Sequence, residues 1–170
     1  MTTVTYRPTA IAPRVLDELR RRDDAGAAPR PYAYDPDGAP LRCCLRRSRA
    51  GERVSLVSYA PLRRWAAEVG ADPGAYDEVG PVFVHTGQCA GPDASSGHPF
   101  AETGARRVLR RYDGEGRIAG GTLVRLPNDP GHARAAVDQA LHTAFADPAV
   151  ALVHVRAVEY GCFQYEVRRP

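Results

Sequence analysis

The sequence predicts an α+β fold: a single domain over residues 1–170, with a largely antiparallel sheet of about seven strands and about three helices. Three observations carry this. Short runs with period-two apolar alternation recur, mostly in pairs around Gly-rich turns, as in hairpins. Three other stretches space their apolar residues at helical period. A chain of 170 residues with 44% hydrophobic content can bury one core, and no internal repeat or linker divides it.

In order along the chain, Pro13–Arg22 reads as a short helix. Pro13 suits its first turn, and Val15, Leu16 and Leu19 share a face. Asp23–Pro40 is rich in Gly, Pro and Asp and reads as a loop whose Tyr32 and Tyr34 are placed to cover a pocket. "LRCCLRR" and "ERVSLVSYA" read as strands joined at "SRAGE", hence a hairpin. Alternation puts Val54, Leu56 and Ser58 on one face of the second strand, and Ser55, Val57 and Tyr59 on the other. Pro61 opens a second helix with Leu62, Trp65, Ala66 and Val69 on one side, ended by Gly70. After the loop "ADPGAYDEVG", "PVFVHT" is a strand with Phe83 and His85 opposite Val82 and Val84.

Gly87–Gly104 is a second long loop, and loops of this length in a compact domain tend to be functional. "RRVLRRYDGEGRIAGGTLVRL" is a hairpin around "DGEG". "NDPGHARAAVDQALHTAFADP" is the best helix, capped by Asn128 or Asp129, with Val137, Ala140, Leu141, Ala144 and Phe145 as its buried stripe. "AVALVHVRAV" and "CFQYEVRR" close the chain as strands around "EYG".

All 23 basic residues are Arg, and the net charge is only +3. The Arg clusters at Glu18–Arg22, Leu45–Arg49 and Arg106–Arg111 have acids nearby and lack interleaved aromatics, so no nucleic-acid partner is expected. No apolar run approaches the roughly 18–20 residues of a membrane span. The N-terminus "MTTVTYRPTAIAPRV" lacks a basic region followed by an apolar one. A cytoplasmic protein without a membrane partner is the expectation, with its oligomeric state open. The four cysteines, Cys43, Cys44, Cys89 and Cys162, form no C-x-x-C and are expected as reduced thiols. Within a strand, adjacent Cys43 and Cys44 would point to opposite faces, the inward one as packing.

The ordered blocks "LRCCLRRSRAGERVSLVSYAPL", "GPVFVHTGQC", "VLRRYDGEGRIAGGTLV" and "FADPAVALVHVRAVEYGCFQYEV" resemble the bacterial DUF1203 family. The resemblance covers nearly the whole chain, from "YRPTAIAP" onward. It implies that these blocks belong to one domain, and it adds nothing about substrate. Recruitment of a member to a specialised bacterial pathway is compatible with it.

The reactive residues form three groups. His85 and Cys89 are separated by Gly87, so the chain can turn and bring them together; a Cys beside a His can be a nucleophile. The same pair is also half of a zinc set, with His154 and Cys162 as the other half. Geometry counts against that completion: a hairpin turning at "EYG" pairs position 154 near 166, leaving Cys162 about 13 Å along from His154 at strand rise. His154 lies mid-strand with Val150, Leu152 and Arg156, as a core histidine or a general base at a sheet face. Tyr59, Arg110, Tyr112 and Tyr160, read as a polar set on strands, can donate protons or clamp a carboxylate. His98, His132 and His142 are weaker candidates: His142 as a surface partner of Asp138, His132 as solvent-facing, and His98 with a lid role only as its minor reading.

No G-x-G-x-x-G after a strand, P-loop, G-x-S-x-G or H-E-x-x-H occurs, so no nucleotide cofactor, NTPase or α/β-hydrolase is expected, and the leading reading needs neither cofactor nor metal. The leading expectation is a cofactor-independent small-molecule enzyme of isomerase, cyclase, lyase or hydrolase type. His85, Cys89 and His154 would be catalytic, and Tyr59, Arg110, Tyr112, Tyr160 and Cys162 would contact substrate. A non-catalytic small-molecule or partner-binding protein is the alternative, and a zinc-binding domain the third reading.

Overall fold

The structure, a computed structural model, describes residues 5–33, 38–94 and 97–170. Tyr34 lies outside them. The elements run α1 (Pro13–Arg21), β1 (Pro31–Ala33), β2 (Pro40–Leu41), β3 (Arg46–Arg47), β4 (Arg53–Tyr59), α2 (Pro61–Val69), β5 (Gly80–His85), β6 (Arg106–Asp113), β7 (Ile118–Arg125), α3 (Pro130–Phe145), β8 (Val150–Ala157) and β9 (Phe163–Arg168). The fold is α+β. Its strands form two sheets, ordered β1-β4-β5-β2-β3 and β7-β6-β8-β9, and every strand pair is antiparallel except β2 with β5.

The helices form where the periodicity places them. Asp129 caps α3 by accepting the His132 amide at 2.9 Å, with Pro130 in the first turn. Val137, Leu141, Ala144 and Phe145 of α3 are buried against one face of the four-stranded sheet, with Leu109, Val153, Val155 and Val167. Leu62, Trp65 and Ala66 of α2 pack on its other face, over Tyr112 and Leu152. Val69 is 53% exposed, because the last turn of α2 overhangs this contact. Gly70 ends the helix at φ 74, a left-handed conformation suited to glycine. α1 covers the five-stranded sheet through Val15, Leu16 and Leu19. The four-stranded sheet is therefore a middle layer, and β8 is buried on both faces.

Two expectations change. "LRCCLRR" is not one strand: residues 42–45 form a tight turn with Leu45 at φ 56, and short β2 and β3 pair across it. The predicted hairpin with β4 is therefore absent; β4 pairs instead with β5 and with β1, a short strand inside the expected loop. Nine strands result rather than about seven. Burial on β4 follows the expected alternation at Ser55, Val57 and Tyr59, and Leu56 is 45% exposed, but Val54 on Leu56's side is also buried.

One buried side chain ties the sheets together. Arg42 is 2% exposed; its guanidinium donates to the Phe163 carbonyl at 2.8 and 2.5 Å and to the Pro40 carbonyl. Burial lowers its pKa to about 10, partly offset by Cys162, so it stays charged at neutral pH.

Candidate functional site

Where α2 meets both sheets, a cavity of about 380 Å³ opens beneath the β8–β9 turn. Five of the expected site residues line it: Tyr59, Tyr112, His154, Tyr160 and Cys162. Strand register brings them there. His154 on β8 faces Arg110 on β6 and Glu166 on β9, and Tyr112 faces Leu152, so Tyr112 is a diagonal neighbour of His154. The two rings meet edge-on at 4.7 Å, and Phe163 closes the other side of the imidazole at 5.0 Å. Tyr59 ends β4 and meets the Phe163 ring at 5.7 Å. Tyr160 lies in the β8–β9 turn rather than on a strand and is 88% exposed at the cavity's rim.

The electrostatics of this cavity are unusual for a core. His154 is 1% exposed, yet neither ring nitrogen has a hydrogen-bond partner among the described residues. Its nearest carboxylate is Glu166, with Oε2 3.5 Å from Nε2, close enough for charge but not for a well-formed hydrogen bond. Burial drives the His154 pKa down, against the raising influence of Glu166, so the imidazole is neutral at pH 7. Burial would raise the Glu166 carboxyl, but His154 and Arg168, whose Nε lies 2.7 Å away, outweigh it and hold the pKa below normal.

Burial raises both phenols. Glu166 adds to the rise at Tyr59, and Arg110 opposes it at Tyr112. Arg156 also lines the cavity, and burial followed by repulsion from Arg110 lowers its pKa. Arg110 sits behind the lining; its Nη1 is 2.7 Å from Glu78, which Arg156 reaches at 3.3 Å, so two guanidiniums share one carboxylate. Cys162 is held beside Arg42, with Nη2 3.5 Å from its sulfur.

His85 and Cys89 do not line this cavity. They do come together, as their spacing predicts, and Cys43 and Cys44 join them: one ligand atom from each of the four lies within 4.8 Å of the others. The turn at 42–45 corrects the expectation that the adjacent cysteines point apart; both are buried, with sulfurs 4.0 Å apart. Register explains the meeting, because Leu41 pairs with Phe83 and the Arg42 amide donates to the Phe83 carbonyl, laying the turn beside the end of β5. His154 and Cys162 belong elsewhere, and His154 pairs with Glu166, the register that argued against them as the other half of a zinc set.

Other residues need reassignment. Asp138 pairs with His98 at 2.7 Å rather than with His142, which instead approaches the Tyr6 hydroxyl at 3.5 Å. His98 is buried, with the Tyr165 hydroxyl 3.5 Å from Nδ1, and Phe100 enters the main core, so this part of Gly87–Gly104 is packed down rather than free to act as a lid. His132 is solvent-facing. Sequence reasoning missed Arg156, Glu78, Glu166 and the ligating potential of Cys43 and Cys44. The Cys-Cys dipeptide was a signal for the last two, but only its turn gives it meaning.

A family model described as "Protein of unknown function (DUF1203)" matches residues 38–169. The chain belongs to the DUF1203 family. The match covers every element from β2 to β9, and so both the cavity and the cysteine cluster of this DUF1203 protein. No curated protein and no solved structure matches the chain. No helix among the described residues is long and apolar enough to cross a membrane.

Proposed function

We propose that this DUF1203 protein is a small-molecule enzyme performing acid–base chemistry at His154. The observation that carries the reading is a fully buried, neutral imidazole with no hydrogen-bond partner among the described residues, lining a metabolite-sized cavity. An unpaired buried polar group costs about 1–3 kcal/mol, a cost that a site retains when the group is needed for a ligand.

The surrounding groups fit that role. Neutral His154 can take a proton from a ligand carbon or hydroxyl, the bonding pair moving into the ligand toward an electron-accepting oxygen. Glu166 stabilises the imidazolium so formed. Tyr59 and Tyr112 keep their protons at neutral pH and can donate to that oxygen. The imidazolium then returns its proton at a neighbouring atom, which is an isomerisation, or to a departing group, which is an elimination. Arg156 and Arg110 together outweigh Glu78, so an anionic ligand, best a small carboxylate, complements the rim.

A panel of small mono- and dicarboxylates and oxo acids, screened by thermal shift and then by NMR for conversion, tests this. A ligand at one hundred times its Kd adds about 2.7 kcal/mol, roughly 5–10 °C in Tm at this size. Arg156→Ala should abolish the shift. His154→Gln should keep binding but slow conversion by about 100-fold or more. Binding without conversion by the wild type would make the protein a binding protein instead. No stabilisation by any panel member would sink the cavity reading.

A further inference from the structure

The cluster around His85 serves no purpose in that cavity. Cys43 and Cys44 point together from their turn, His85 ends β5, and Cys89 follows four residues later. Packing explains one or two buried thiols. It does not explain four soft donor atoms converging within 4.8 Å. A tetrahedral zinc with Zn–S near 2.3 Å and Zn–N near 2.05 Å has edges of about 3.8 Å between sulfurs and about 3.6 Å from sulfur to nitrogen. The structure has 4.0 Å between the Cys43 and Cys44 sulfurs, and 3.4 and 3.8 Å from these to His85 Nδ1.

We propose that Cys43, Cys44, His85 and Cys89 form a structural zinc site, bound through three sulfurs and His85 Nδ1. Three thiolates and one imidazole select a thiophilic ion over magnesium or calcium, and Cys₃His is a known closed structural set. The surroundings match. The far nitrogen of His85, Nε2, lies 3.5 Å from Glu52 Oε1 and 3.4 Å from Arg46 Nη2, so a carboxylate stands close enough to receive its N–H once Nδ1 holds a metal, without a well-formed hydrogen bond to it here. Glu52 is itself held by Arg46 at 2.7 and 3.0 Å and by the Arg49 amide at 2.8 Å. The His85 amide donates to Cys43 Sγ at 3.2 Å, a contact that suits a thiolate ligand. Three thiolates and Zn²⁺ sum to one negative charge; Arg46, 3.4 Å from His85 Nε2, stands beside the cluster, its own charge paired with Glu52.

Four protein ligands leave no open position, so this ion would not activate water. It would pin the 42–45 turn to the end of β5 and to the start of the Gly87–Gly104 loop. That loop is then fastened at Cys89 and again at His98 and Phe100.

The test is metal content by elemental analysis and native mass spectrometry of protein expressed and purified without added metal or chelator. The expected result is one zinc per chain, with Cys89→Ser losing it and Glu52→Gln binding zinc about 10–100-fold more weakly. Metal-free protein should take up Co²⁺ with the visible absorption of tetrahedral thiolate coordination. Should Cys89→Ser fail to fold, Glu52→Gln and the cobalt spectrum still decide. Substoichiometric zinc in the wild type together with no cobalt–thiolate spectrum would overturn the site. So would a disulfide among Cys43, Cys44 and Cys89 in protein handled under reductant, or zinc content and affinity indifferent to both substitutions.

Discussion

His154→Leu separates stability from pH in a way that follows from the imidazole's surroundings. The ring is enclosed by Tyr112 and Phe163, with Glu166 at 3.5 Å and the Arg110 and Arg156 charges opposing its protonation. Its folded pKa lies below its value of about 6.5 in an unfolded chain. The unfolded state therefore binds a proton first as the pH falls. The neutral buried form contributes fully above about pH 6.5, and its contribution is lost as the pH drops toward the folded pKa. One proton gives a slope of at most about 1.4 kcal/mol per pH unit, so the wild type loses stability through this group as the pH falls below about 6.5.

Leucine cannot titrate, and it removes two nitrogens that have no hydrogen-bond partner among the described residues. At pH 7 the variant should be as stable as the wild type or more so, by up to about 2 kcal/mol. Glu166 is also held below its normal range, in part by His154, so its contribution is lost as the pH falls through the ordinary carboxylate range, and the comparison is made above that range. Urea unfolding of both proteins at half-unit steps from pH 7.5 to 5.5, above the ordinary carboxylate range, gives the difference directly. The gap should widen in the variant's favour below pH 6.5. A constant gap would mean that folding does not perturb His154. A gap that closes would mean that an imidazolium–Glu166 pair outweighs burial, and the neutral-base assignment would fail with it.

Two further substitutions test the architecture. Arg42→Ala deprives the Phe163 and Pro40 carbonyls of their buried donor and empties the space between the sheets. At about 1–3 kcal/mol per orphaned carbonyl, less the relief of uncovering a buried charge, the expected loss is about 2–4 kcal/mol in urea; a loss below about 1 kcal/mol would show that the sheets hold together without it. Gly120 has φ 142, a backbone conformation that other residues rarely adopt, and an added Cβ would also displace the tip of the Arg111 side chain, so Gly120→Ala should cost about 1–3 kcal/mol through backbone strain. Gly121→Ala, without a positive φ and with nothing closer than 3.8 Å, is the control; equal Tm changes for the two would refute the strain account.

The sequence by itself determined the helices and the two long hairpins. Their signals are local: Pro in the first turn, Asp129 as a cap, Gly70 at a left-handed end, alternation along β6 to β9. It also determined that His85 and Cys89 meet, since one glycine-containing turn suffices. It misread Cys43 and Cys44, because "LRCCLRR" alternates plausibly as a strand, and only the pairing of β2 with β5 turns it back on itself. It marked His154 as either core or base without deciding. That depended on β8 being a middle layer, with α3 on one face and α2 with the second sheet on the other. Burial of both faces is a property of the packed layers, and it alone strips the imidazole of water and leaves it at a cavity wall.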